Sequence, residues 1–279
     1  MKTALSKRSG LWRRFLLLTW LGFVLLATLI GAWLTLAEKK AETAGLQSTR
    51  PLKVAVAANF FATAGKLTQQ FTRQHGTPVV LSAASSGTLF AHINNGLPYD
   101  VFLSADVQRP QMLVGAGMAD AGSATNYARG QLVLWGPAHP SSQKVSCLER
   151  LQDGNFRHLV IANPETAPYG LAGRQVMQRL GITVPDTKII TAESISQAFH
   201  MLRSGNVDMG FIARSQWLTL DPAQRTGCAW QVPETLYDPI VQQAVRLTSS
   251  RHAAAQTFVD FLRSDTARII IAQDGYAVE

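Results

Sequence analysis

Apolar residues along this chain alternate between short continuous runs and helical stripes. The run 52–58 (LKVAVAA) reads as a buried strand, and Phe60, Ala64, Leu67 and Phe71 then repeat at helical spacing up to His75-Gly76. The alternation continues with a strand at 79–82, a helix through Leu89, Phe90 and Ile93, a strand at 100–104 and a short helix at 111–114. Next come strands at 132–135 and 158–162, a helix at 171–180 and a strand at 188–191. A helix through Ile195, Ala198, Phe199 and Leu202, strands at 207–213 and 241–248, and a late helix through Ala254, Phe258, Phe261 and Leu262 complete the pattern. Strands alternating with helices predict an α/β fold with largely parallel sheets. A body of about 230 residues exceeds one compact core, so two lobes are expected. Each should be a mixed, mostly parallel sheet flanked by helices. A late segment, 236–279, could return to the first lobe.

The N-terminus fits neither pattern. Lys2, Lys7, Arg8, Arg13 and Arg14 precede an uncharged run from Phe15 to Ala37. A basic flank before an apolar stretch is the order of an export signal, and the positive-inside rule sends the C-terminal body outward. The 23-residue run spans roughly 35 Å as a helix, enough to cross a bilayer. Residues 1–37 therefore read as a cleaved signal or a membrane anchor, and 38–50 as a polar linker. The body is expected in the periplasm or on the outer face of the cytoplasmic membrane.

Charge first points to nucleic acid, at a net +8 and a pI near 9.8. Residues 1–50 carry +6 of that and the body only +2, so no basic footprint for a phosphate backbone remains. Enzyme signatures are missing too: no GxSxG elbow, P-loop or HExxH occurs. The six histidines (75, 92, 139, 158, 200 and 252) show no metal-ligand spacing. Asp100 and Asp106 could be paired carboxylates for acid–base work, or a strand end and a helix cap. No catalysis and no cofactor are expected. Cys147 and Cys228 face an oxidising compartment, where a disulfide is allowed, and two buried thiols are the alternative.

Candidate binding chemistry sits at four strand-to-helix junctions: 57–60 (AANF), 84–88 (ASSGT), 163–170 (NPETAPYG) and 191–195 (TAESI). Each starts a helix, so free N–H groups and the positive end of a helix dipole point outward. Ser and Asn side chains there serve as ordinary caps or as further donors. If the four ends converge, they form an anion site without Lys or Arg.

The segments VAVAANFFATAGKLTQQF, SAASSGTLFAHINNGLPYDVFLSAD, ANPETAPYGLAGRQVMQRLG and GNVDMGFIARSQW, which sample residues 52–279, resemble the periplasmic molybdate-binding proteins of ABC importers. The resemblance implies the two-lobed periplasmic-binding-protein fold closing on a tetrahedral oxyanion held by neutral donors. Carried over by position, the ligand-binding residues fall on Asn59 and Ser86 through side chains and on Tyr169 and Ile195 through backbone N–H groups. Asn59 and Ser86 would touch the oxygens of molybdate, not its metal. A further backbone donor falls on Val56 or Ala57. A ligating Tyr of some members falls on Ala213, which has no donor, and the Tyr169 phenol is the candidate replacement. The implied ligand is molybdate, with tungstate the alternative, and the implied partners are an inner-membrane ABC permease and, through the N-terminal segment, the membrane. No nucleic acid is implied, and the chain is expected to be a monomer. A membrane-anchored oxyanion sensor and a sulfate receptor are the competing readings. Molybdate, tungstate and sulfate are fully deprotonated at neutral pH and need donors only, whereas phosphate keeps a proton and wants an acceptor. Among the dianions, cavity size must discriminate, because donors held too far apart cannot bond the smaller ion.

Overall fold

The computed structural model describes residues 50–138 and 145–278. The signal or anchor at 1–37, nearly all of the linker, and His139 lie outside the described residues. Among those described, no helix is long and apolar enough to cross a membrane.

The body is built on two five-stranded sheets. Strands β1 (Leu52–Ala57), β2 (Val79–Ala84), β3 (Val101–Ser104), β4 (Thr125–Gly130) and β10 (Ile240–Arg246) form the first, in the order β2-β1-β3-β10-β4. Strands β5 (Leu132–Gly136), β6 (Leu159–Ala162), β7 (Ile189–Ala192), β8 (Met209–Ala213) and β9 (Cys228–Gln231) form the second, in the order β7-β6-β8-β5-β9. The expectation of mostly parallel sheets needs adjusting. In the first sheet β1 pairs parallel with β2 and β3, but β10 runs antiparallel to β3 and β4. In the second, β6 pairs parallel with β7 and β8, and β5 antiparallel with β8 and β9. The antiparallel half arises where the chain leaves and re-enters each sheet without a helical crossover. It passes from the first sheet to the second between Gly130 and Leu132, and returns between Gln231 and Ile240.

Helices cover both faces of each sheet. In the first, α1 (Phe61–His75) buries Ala64, Leu67 and Phe71 against β1, and Phe60 just before it is equally buried. Burial of each large side chain contributes about 1.5–3 kcal/mol. Gly76 ends this helix at φ 67°, a left-handed conformation that a Cβ would disfavour. The opposite face carries α2 (Ser86–Asn94) and α3 (Gln108–Gly115), which bury Leu89, Ile93 and Leu113. Late helices α8 (Ala254–Phe261) and α9 (Asp265–Gln273) return to the α1 side, where Phe258 meets Phe71 edge-on. The second sheet is covered by α4 (Cys147–Gln152) and α5 (Pro168–Arg179) on one face and α6 (Ile195–Arg203) on the other. A short α7 (Arg214–Leu218) comes directly after β8.

Cys147 and Cys228 are joined in a disulfide that ties α4 to β9, the edge strand. Periodicity had missed β4, α4, α7, β9 and α9. Strand β4 (TNYARG) has no apolar alternation, and β9 (CAWQ) is a half-exposed edge. Of the three histidines in last helical turns, His75 and His200 stay exposed and His92 is half-buried, and the described residues hold no cluster of three potential metal ligands.

Candidate functional site

The four junctions meet between the two sheets. Parallel pairing ends β1 and β2 side by side, Ala57 beside Ala84, which puts the 3-10 turn Ala58–Phe60 next to the start of α2. In the second sheet Ala162 of β6 lies beside Ala192 of β7, and the Asn163 N–H donates to the Ala192 carbonyl at 2.7 Å. The starts of α5 and α6 are therefore neighbours as well. Contacts then cross the gap. The Ser196 hydroxyl donates to the Ala58 carbonyl at 3.0 Å, and the Gly87 N–H donates to the Thr166 carbonyl at 2.9 Å. Arg109 Nη2 donates to the Glu165 carbonyl at 2.7 Å. Beside these contacts a cavity of about 530 Å³ opens, lined on one side by Gly87 and Arg109 and on the other by Thr166 and Arg174; Asn59, Ser86, Tyr169 and Ile195 do not line it.

The converging ends carry donors without partners among the described residues. Ser86 is the first residue of α2, capped by Ser85, whose hydroxyl accepts from the Thr88 N–H at 3.3 Å. The Ser86 hydroxyl accepts from the Ala105 N–H at 2.9 Å, so its own proton is left to donate. Helix α5 opens on Pro168 with no side-chain cap, and the N–H of the next residue, Tyr169, is free. At α6 the Ser194 cap takes the Gln197 N–H and leaves that of Ile195 free. Val56 and Ala57 lie inside β1; the first residues beyond it are Ala58 and Asn59, at the start of the 3-10 turn.

Charged groups around the site are engaged elsewhere. Asp106 caps α3 through the Arg109 N–H at 2.9 Å and pairs with the Arg109 guanidinium. Asp100 accepts from the Lys53 N–H at 2.9 Å and from the Ser250 hydroxyl at 2.6 Å, so these carboxylates stabilise separate loops. The Glu165 side chain is exposed and bonded to Arg174 at 3.1 Å, and Glu193 is exposed. The site thus presents dipoles rather than net charge.

Asn59 sits differently from Ser86. Its amide nitrogen lies 3.1 Å from Gln242 Oε1, 3.3 Å from Tyr276 Oη and 3.5 Å from Tyr169 Oη. It belongs to a buried polar cluster under the cleft. Tyr127 Oη donates to the Ser104 carbonyl at 3.1 Å and approaches Gln242 Oε1 at 3.0 Å, and Ser215 Oγ donates to Tyr276 Oη at 2.9 Å. The Tyr169 phenol, the candidate replacement ligand, accepts from Gln242 Nε2 at 3.3 Å within the same cluster. Burial pushes the Tyr127, Tyr169 and Tyr276 phenols above their usual range, so all three stay neutral at physiological pH. Ala213 is buried at the end of β8, with its N–H held by Gln216 Oε1 at 3.1 Å. Sequence reasoning missed Tyr127, Ser215, Gln242 and Tyr276. Only Gln242 left a signal in the sequence, as a polar pair with Gln243 between the apolar residues Ile240-Val241 and Ala244-Val245 of β10.

A family model described as bacterial extracellular solute-binding protein matches residues 52–277. The chain belongs to that family. This solute-binding protein is 40 % identical over 232 residues to the molybdate-binding protein ModA of Azotobacter vinelandii, covering 82 % of this chain and 90 % of the relative. It is also 40 % identical over 227 residues to ModA of Rhodobacter capsulatus, covering 81 % and 87 %. The solved periplasmic molybdate-binding protein of A. vinelandii superimposes with a TM-score of 0.75, covering 82 % of this chain and 99 % of that one. The two-sheet architecture is that of periplasmic binding proteins.

Proposed function

We propose that this chain is the substrate-binding component of a molybdate ABC importer, acting outside the cytoplasmic membrane. One observation carries the reading: four helix starts converge on neutral donors, with the neighbouring carboxylates engaged elsewhere or exposed. Such a site favours a fully deprotonated dianion over phosphate. The 40 % identity to molybdate-binding relatives supports molybdate as the ion, and tungstate shares its charge and shape. Ser86 would contact the ion through its hydroxyl, and Tyr169 and Ile195 through backbone N–H groups. Asn59 would contribute its backbone N–H, or its amide once withdrawn from Gln242. The lobes, 51–130 with 236–279 and 131–235, would close by bending at Arg129-Gly130 and Glu234–Asp238. Residues 1–37 would deliver the body outward as signal or anchor, and a permease would take the ion unchanged from a monomeric receptor.

Isothermal titration of the purified protein with molybdate, tungstate, sulfate and phosphate tests this. Molybdate and tungstate should bind far more tightly than sulfate, and phosphate should not compete. Equal affinity for phosphate and molybdate would overturn the assignment.

Ser86→Ala should weaken molybdate binding by about 2 kcal/mol, roughly 30-fold, the range for a hydrogen bond to a charged group. The same change leaves the buried Ala105 N–H without an acceptor, so the melting temperature should fall slightly. Titration beside a melting curve separates the two effects; wild-type affinity in Ser86→Ala would remove this residue from the site.

A further inference from the structure

The buried cluster under the cleft joins the two lobes through two side chains of the second lobe: Ser215, whose hydroxyl donates to Tyr276 Oη at 2.9 Å, and Tyr169. Tyr169 belongs to the second lobe, where α5 is set hard against its own sheet: a Cβ on Gly170 would lie 2.1 Å from the Ala162 carbonyl oxygen. Its phenol reaches the first lobe and stops there. Gln242 Nε2 and Asn59 Nδ2 lie 3.3 Å and 3.5 Å from the oxygen. A Cβ on Gly130 would lie only 2.1 Å from that oxygen, so the phenol occupies the space that the missing side chain leaves at the hinge.

The receiving end is also rigid. Gln242 is fully buried, and the β10 register shifts between Gln242 and Gln243. Its Oε1 is held by Tyr127 Oη at 3.0 Å and Asn59 Nδ2 at 3.1 Å, and Tyr127 is tied to the Ser104 carbonyl. A ring fixed at both ends is a spacer. The residue that supplies it also supplies the free N–H at the start of α5, so the spacer sets how near that donor comes to Ser86 on the facing lobe.

We infer that the Tyr169 phenol and Gln242 form a stop that limits closure of the lobes and thereby sets the size of oxyanion the cleft accepts. The inference rests on the oxyanion-receptor reading and adds the residues that decide selectivity. Gln242 and the phenol are positioning groups and do not touch the ion. With the stop in place, donors stand too far apart to bond all the oxygens of the smaller sulfate ion. Without it, the lobes can tilt nearer each other on the Tyr169 side, pivoting on the Gly87–Thr166 and Ser196–Ala58 contacts that already join them, and sulfate gains on molybdate.

The experiment compares wild type, Tyr169→Phe and Gln242→Leu by titration with molybdate and sulfate, and by amide exchange without ligand. Tyr169→Phe removes a single oxygen and keeps the backbone donor, so it serves even if Gln242→Leu folds poorly. The ratio of sulfate to molybdate dissociation constants should fall by about tenfold or more in either variant. A purely structural role would weaken both ions alike and leave the ratio unchanged, which overturns the inference. Without ligand, amide exchange at residues 130–132 and 169–171 should quicken in Tyr169→Phe; unchanged exchange overturns the spacer whatever ion binds. A wild-type protein that binds neither ion overturns the receptor reading instead, and the exchange result then decides the spacer by itself.

Discussion

Gly87→Val should weaken molybdate binding by about 150-fold while leaving the ligand-free melting temperature within about 2 °C of wild type. Gly87 stands in the first turn of α2 with ordinary helical backbone, so a side chain there does not strain its own lobe. Across the cleft the situation differs. A Cβ would lie 2.8 Å from Thr166 Cα, 2.9 Å from its Cβ and 3.1 Å from its carbonyl oxygen, the same carbonyl that accepts the Gly87 N–H. Main chain cannot swing aside as a long side chain can. Overpacking of this kind costs about 3 kcal/mol at its upper end. Here the cost falls on the closed form alone, so it divides the fraction of protein competent to hold the ion. Titration and a melting curve on the same sample check both halves. Wild-type affinity would show that the approach of Gly87 to Thr166 is no part of the bound state.

Reducing the Cys147–Cys228 disulfide, or replacing both cysteines with Ser, should have the largest effect on stability. The bridge joins residues 81 apart in sequence, and the chain-entropy argument gives about 4 kcal/mol for a loop of that size. For a protein of this length the melting temperature should fall by roughly 8–16 °C. Strand β9 is the edge of its sheet and pairs only with β5, so the bridge to α4 is its second attachment. Ion affinity should change little. Cys228 pairs with Gly136 at one end of β5, whereas the opposite end, Leu132, pairs with Ala213 beside the cleft, about 13 Å along the strand. Scanning calorimetry with and without reductant, beside ion titration, checks this. An unchanged melting temperature would show that β9 and α4 hold without the bridge.

Legibility in the sequence tracked the range of the interaction. Phe60, Ala64, Leu67 and Phe71 could be read as one buried face because helical periodicity is complete within a dozen residues. The junctions were legible for the same reason: Ser85 and Ser194 mark helix starts by accepting from the N–H three residues on, and Pro168 by its own fixed φ. Elements whose burial comes from distant partners were not legible. Strand β4 shows no alternation of its own because β10 and the backbone of Ala277 supply its partners.

The sequence by itself determined an α/β body of alternating strands and helices, four donor-rich helix starts, and a basic, apolar N-terminus set apart from a nearly neutral remainder. It could place Ser86, Tyr169 and Ile195 at helix starts, but not beside one another. Tertiary structure alone decided that the starts meet, that Asn59 turns its amide toward Gln242, and that the Tyr169 phenol fills the space beside Gly130. The physical reason is separation along the chain. Asn59 is 110 residues from Tyr169, 183 from Gln242 and 217 from Tyr276. A buried amide or phenol takes whichever partners the assembled sheets bring within reach, and no local pattern of hydrophobic and polar residues records which those will be.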